Sequence, residues 1–230
     1  IEQAGDLVED GYDVTTEAFG FTEETPVEET PVEERPVEEK KLVEPDDSEY
    51  LSTPFKVGEK IFYYFNTGKL EQNRLMIRDC ESCPERILID PNDFSNDGTV
   101  SLASVSVSPN AEWIAFAKSD GGSDWRTWKI MNIASGEILD DEIEWSKFSS
   151  AEWSPDSKGF FYRKYLKPDG EELLDLNSSP KLMFHSIGTD QINDQIIIWD
   201  KNDPLLSRSI KVSDDGQYKI LFTEKGTDER

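Results

Sequence analysis

Histidine occurs once in this sequence, at position 185, and cysteine twice, at positions 80 and 83. The first scarcity limits nucleophilic catalysis, because a Ser–His or Cys–His pair could form only around His185. The Gly-x-Ser-x-Gly pentapeptide that sets a nucleophilic serine on a strained turn is also missing; "GGSDW" at 121–125 fails at its last position. Two cysteines cannot build a disulfide scaffold and point to a reducing compartment. With no second pair and no nearby histidine they cannot supply the four ligands of a zinc site, so no metal or cofactor is expected. Basic residues are few: 24 Lys+Arg stand against 49 Asp+Glu, for a formal charge of -25. Polyphosphate and anionic lipid surfaces repel such a chain, so neither nucleic acid nor a membrane is an expected partner. No run of about 18 apolar residues marks a transmembrane helix. The first residue is Ile1, with no basic stretch and apolar core of a secretory signal behind it. The chain is therefore expected to have been processed or to begin inside a longer product.

What is present divides at about residue 50. Residues 1–50 hold 18 acids and 3 bases, and residues 25–39 read "TPVEETPVEERPVEE", three turns of a five-residue period. A proline at every fifth position blocks both helix and sheet ladder. One valine per repeat cannot offset the entropy of ordering. Residues 1–48 are thus expected to be a disordered acidic leader, a solvated tail or a partner-binding segment.

From Tyr50 onward aromatic and β-branched residues rise and turn signals recur. Three stretches are written alike: "VSVSPNAEWIAFAKS" at 105–119, "AEWSPDSKGFFYRKY" at 151–165 and "IKVSDDGQYKILFTE" at 210–224. Their serines, Ser108, Ser154 and Ser213, lie 46 and 59 residues apart. A second set interleaves with them: "RLMIRD", "KIMNIA" and "KLMFHS" carry Met76, Met131 and Met183 at separations of 55 and 52. Two markers alternating with a period near 50 residues predict a β-propeller, one hairpin of the first kind per blade. The runs "WIAFA", "GFFY" and "YKILF" are then inner strands buried on both sides. The three methionine strands are expected in separate sheets fanned about a shared axis. Residues 50–230 amount to about three to four blades, fewer than the roughly four to eight of a closed ring. The fold class is all-β, a partial propeller behind the acidic leader. A small open β-meander is the alternative.

Six words occur in order across residues 50–230: "PFKVGEKIFYYFNTG", "DPNDFSNDGTVSL", "GGSDWRTWKIMNI", "KFSSAEWSPDSKGFFY", "KLMFHSIGTDQ" and "VSDDGQY". Together they resemble the start of the propeller of the prolyl oligopeptidase family of serine peptidases. The resemblance implies a monomeric cytoplasmic endopeptidase that cleaves short peptides after proline. Its seven-bladed propeller gates access to an α/β-hydrolase domain that holds the catalytic Ser, Asp and His. It implies two cavity-lining residues here. Asp124 matches a loop acid that pairs with an arginine of a later blade, near where Arg230 falls, and Phe148 matches an aromatic of the hydrophobic subsite. The departure lies upstream, where the family has a helical segment and this chain has the acidic repeat.

With no catalytic residue assigned, the chain is expected to be inactive alone. The other reading is a non-catalytic β-propeller interaction module with an acidic tail. Asp124 could equally be a turn acid and Phe148 a core aromatic. Trp125 and Trp128 read as blade packing, His185 as an ordinary strand position, and Cys80 and Cys83 as a hairpin tip. Asp140, Asp141 and Glu142 read as a solvated loop. "NSS" at Asn177 is a glycosylation pattern that matters only in a secreted protein.

Overall fold

A computed structural model of the chain describes residues 48–167 and 179–225. The acidic leader up to residue 47, Asn177 and Arg230 lie outside them.

The described residues form successive antiparallel units, each built outward from an inner strand. In the first, β1 (Tyr50–Leu51) and β2 (Phe55–Val57) share one edge of β3 (Lys60–Asn66), followed by β4 (Arg74–Arg78) and β5 (Glu85–Ile89). The second runs β6 (Val100–Val107), β7 (Trp113–Asp120), β8 (Arg126–Asn132) and β9 (Ile143–Ser146). The third contains β10 (Glu152–Trp153), β11 (Gly159–Lys164), β12 (Lys181–Ser186) and β13 (Gln195–Ile198). A fourth is represented by the pair β14 (Leu206–Val212) and β15 (Lys219–Lys225). These are three blades and the inner half of another, and the ring they begin is not closed.

Met76, Met131 and Met183 sit on β4, β8 and β12, the third principal strand of each blade. The expectation of wholly separate sheets needs one correction. Ser146, the last residue of β9, pairs with Arg126 on β8 and also with Lys164 on β11, so blades two and three share a continuous ladder. A single residue pair makes that link between β9 and β11.

Side-chain alternation along β7 shows why the blades nonetheless stack face to face. Successive side chains of a strand point to opposite faces. Ile114 and Phe116 join Phe62, Leu75, Ile77 and Met131 in the core between blades one and two. Ala115 and Ala117 join Trp128, Phe160, Tyr162 and Met183 between blades two and three. The inner runs of β7 and β11 are buried as expected, but every residue of β15 is exposed. Among the described residues β15 pairs with β14 alone, and its apolar residues Ile220, Leu221 and Phe222 stay about half exposed.

The repeated serine turns share one geometry. Ser108, Ser154 and Ser213 each give a hydroxyl bond to the side chain two residues on, Asn110 (2.7 Å), Asp156 (2.6 Å) and Asp215 (2.6 Å). The residue three on, Ala111, Ser157 or Gly216, has positive φ and returns its N–H to the serine carbonyl. Blade one makes the same reversal with Gly58 at φ 58, between paired Val57 and Lys60. That turn has no serine, so this blade has no copy of the repeated sentence.

Neighbouring blades are tied through these turns and along their strands. Asn110 N–H donates to Ser157 Oγ (3.2 Å), Trp153 Nε1 to the Ser106 carbonyl (3.0 Å), and Arg86 Nη2 to the Ile133 carbonyl (2.8 Å). At the tip of the β4–β5 hairpin Cys80 and Cys83 are joined in a disulfide. The expected hairpin tip is there, but its cysteines are oxidised, which departs from the reducing setting inferred from their scarcity. A bond spanning a sequence separation of 3 staples only that tip.

Candidate functional site

At the end of the blades opposite the serine turns, the pairing of Arg126 with Ser146 sets the β7–β8 loop beside the β9–β10 loop. Gly121 and Gly122, at φ 56 and 72, carry the first loop through a reversal that side chains disfavour. Asp124 follows, exposed, and then half-buried Trp125. The second loop runs from Lys147 to Ala151. Two aromatic residues lie in the left-handed region here, Trp145 near the end of β9 at φ 59 and Phe148 in the loop at φ 48. Bulky residues avoid this conformation, and it concentrates at functional loops.

Lys147 organises the cluster. Its ammonium lies 4.3 Å from the ring centroid of Trp125, 4.9 Å from that of Tyr165 and 5.9 Å from that of Phe148. The ring of Trp125 meets Trp145 and Tyr165 edge-on at 5.6 and 6.2 Å. Burial pushes the Lys147 ammonium below its ordinary pKa, and the Asp124 carboxylate opposes that shift. Each ring face attracts the cation, worth about 0.5–2 kcal/mol apiece.

Phe148 is presented rather than packed, with 45% of its surface exposed. An Arg163 guanidinium N–H donates to its carbonyl, the Arg163 backbone N–H to Ser149 Oγ (2.9 Å), and Arg126 Nη1 to the Ser149 carbonyl (2.9 Å). Phe148, Ser149, Arg163 and Ser209 help line a cleft of about 140 Å³ between blade three and β14. The structure thus brings Asp124 and Phe148 to one end of the blades around Lys147. Of the tryptophans, Trp128 is core and fully buried, its Nε1 on Ser146 Oγ at 3.2 Å, while Trp125 belongs to the Lys147 cluster.

Two readings of the acidic and histidine positions change. Asp140 and Glu142 are exposed, but Asp141 is only 5% exposed and accepts from Gly188 N–H at 2.7 Å. It also faces His185, which is fully buried with both ring nitrogens against carboxylates. A ring so engaged cannot take a proton from a serine hydroxyl. The signal was beyond sequence inspection, because Asp141 lies 44 residues from His185.

The family profile described as "Prolyl oligopeptidase, N-terminal beta-propeller domain" matches residues 31–230. A prolyl endopeptidase of Elizabethkingia miricola is 35% identical over 180 residues, covering 78% of this chain and 25% of that protein. Prolyl oligopeptidase A of Amanita bisporigera is 31% identical over 207 residues, covering 79% of this chain and 27% of its own length. The chain therefore spans about a quarter of the curated relatives it matches. Among solved structures, prolyl oligopeptidase B of Galerina marginata bound to a 35mer hydrolysis and macrocyclization substrate superposes with a TM-score of 0.72 at 25% identity, covering 79% of this chain and 28% of that one. A structure from a study of two prolyl endopeptidases and their inter-domain dynamics gives 0.69 at 30% identity, covering 78% and 25%. Four blade positions, the serine turns and the profile coincide: the chain belongs to the prolyl oligopeptidase family, and its matched part is that family's N-terminal β-propeller domain.

Proposed function

We propose that the chain is the first part of the substrate-gating propeller of a serine-type prolyl endopeptidase that cleaves short peptides after proline. In this reading residues 50–230 are the propeller segment, residues 1–48 a disordered leader, and the nucleophile and its base belong to a hydrolase domain outside this sequence. Asp124 and Phe148 face the substrate cavity, Phe148 offering its ring to an apolar side chain of the peptide. The supporting observation is Phe148 itself, an exposed aromatic in the left-handed conformation, clamped by Arg163 and Lys147 beside Asp124. The site calls for no cofactor. In this reading the whole enzyme is monomeric and cytoplasmic. Among the described residues no helix is long and apolar enough to cross a membrane.

A hybrid tests this. Residues 50–225 replace the matching quarter of the Elizabethkingia miricola enzyme, with the present chain alone as the inactive control. The hybrid should turn over a short fluorogenic proline peptide. Phe148→Ala within it should raise KM about tenfold with kcat nearly unchanged, the loss of one apolar contact made equally in ground and transition states. A folded hybrid whose KM is indifferent to Phe148 removes the subsite assignment. A folded hybrid with no turnover removes the gating assignment.

A further inference from the structure

The ring of His185 is wholly out of solvent on β12, with Nδ1 2.7 Å from Asp194 Oδ1 and Nε2 2.8 Å from Asp141 Oδ1. Both carboxylates are nearly as buried, their side chains 0% and 3% exposed. The protonation state follows from counting donors. A neutral imidazole has one N–H and one bare lone pair. Between two carboxylates it would donate on one side and set lone pair against lone pair on the other. The carboxylates are themselves committed as acceptors: Asp141 Oδ1 also takes Gly188 N–H at 2.7 Å, and Asp194 Oδ2 takes the Tyr162 hydroxyl at 2.7 Å. With both carboxylates ionised, only a doubly protonated ring satisfies both sides.

The placement gives the triad a mechanical role. Asp141 precedes β9 in blade two, whereas His185 and Asp194 belong to blade three. Gln191 Nε2 adds a bond across the same junction, to the Glu144 carbonyl at 2.9 Å, and a second within blade three, to the Tyr162 hydroxyl at 3.0 Å. Around the ring, β11 contributes Tyr162, Lys164 and the tilted ring of Phe160, whose centroid is 5.5 Å from that of the imidazole. Lys164 interacts with Asp194, with Glu144 on β9 and with Lys181 on β12. A buried ion pair missing one member strands its partner away from water, and here loss of one proton would strand a carboxylate.

We propose that Asp141, His185 and Asp194 form a buried imidazolium latch between blades two and three, and that removing the proton from His185 releases the outer strands of the two blades from one another.

Burial works against the charged ring, but the hydrogen bonds to Asp194 and Asp141 prevail and hold His185 above the ordinary histidine pKa of 6.5. The sign is that of a group raised in the folded state. Its stabilisation is complete below the unfolded value and is lost as pH rises through the folded value. The latch opens on the alkaline side.

Because the chain has one histidine, 15N-histidine labelling of the 230-residue protein leaves a single imidazole, with two ring nitrogens, to read. The expected result is two protonated ring nitrogens at pH 7, a midpoint above 6.5, and about tenfold loss of pH-corrected amide-exchange protection at Gly188 and Ile143 as the ring deprotonates, the weight of one charged hydrogen bond. The melting temperature should fall over the same range, and His185→Gln should abolish that slope. One protonated nitrogen at pH 7, or deprotonation without change at Gly188, overturns the proposal. If the variant does not fold, the spectrum of the unaltered chain still decides.

Discussion

Gly159 shows how closely single positions are constrained. A Cβ on it would lie 2.1 Å from the His185 carbonyl oxygen, a backbone atom that cannot swing aside, and 2.7 Å from the Phe184 ring. Gly159→Ala should therefore cost about 1–3 kcal/mol, the range for overpacked interiors. It would be read as a lower urea midpoint at unchanged slope. A neutral result would mean that β11 and β12 separate more easily than their register implies. At this scale the sequence was partly legible. Asp124 and Phe148 could be named through resemblance to a family, because their surrounding words are distinctive. The Asp141–His185 contact could not, since a buried acid and a surface acid look identical in a run such as Asp140-Asp141-Glu142.

Among the elements, the serine turn is the best test of what a repeated sentence does. Ser108 is fully buried and Ser154 7% exposed, and the Ser108 hydroxyl also accepts the Trp113 N–H at 2.9 Å. Ser108→Ala and Ser154→Ala should each cost about 1 kcal/mol, a buried hydrogen bond left half-made. The matching Ser213 lies in an open turn, so Ser213→Ala should cost less because water can replace its hydroxyl. Three equal losses in chemical denaturation would contradict this ranking. These turns were readable because reversal into positive φ needs particular residues at particular steps. Blade one hid its turn because a glycine hairpin does the same work with two residues, and the ladder through Ser146 left no mark in composition.

For the molecule as a whole, the exposed faces of β15 set behaviour in solution. Ile220, Leu221 and Phe222 are 51%, 45% and 47% exposed on a strand that, among the described residues, has one free edge. Such edges recruit further strands. The purified chain should self-associate, and Ile220→Lys with Phe222→Lys should suppress the association in light scattering with little loss of stability. Unchanged scattering would point to another surface. The ties between blades carry a further consequence. The bonds Arg86–Ile133, Trp153–Ser106, Asn110–Ser157, Gly188–Asp141 and Gln191–Glu144 all join residues 47 apart. Coupling then runs between nearest neighbours at a fixed chain distance, as in a one-dimensional array. Each blade can form against the one before it as the polypeptide is made, and a lesion in one weakens two junctions while the rest of the array holds.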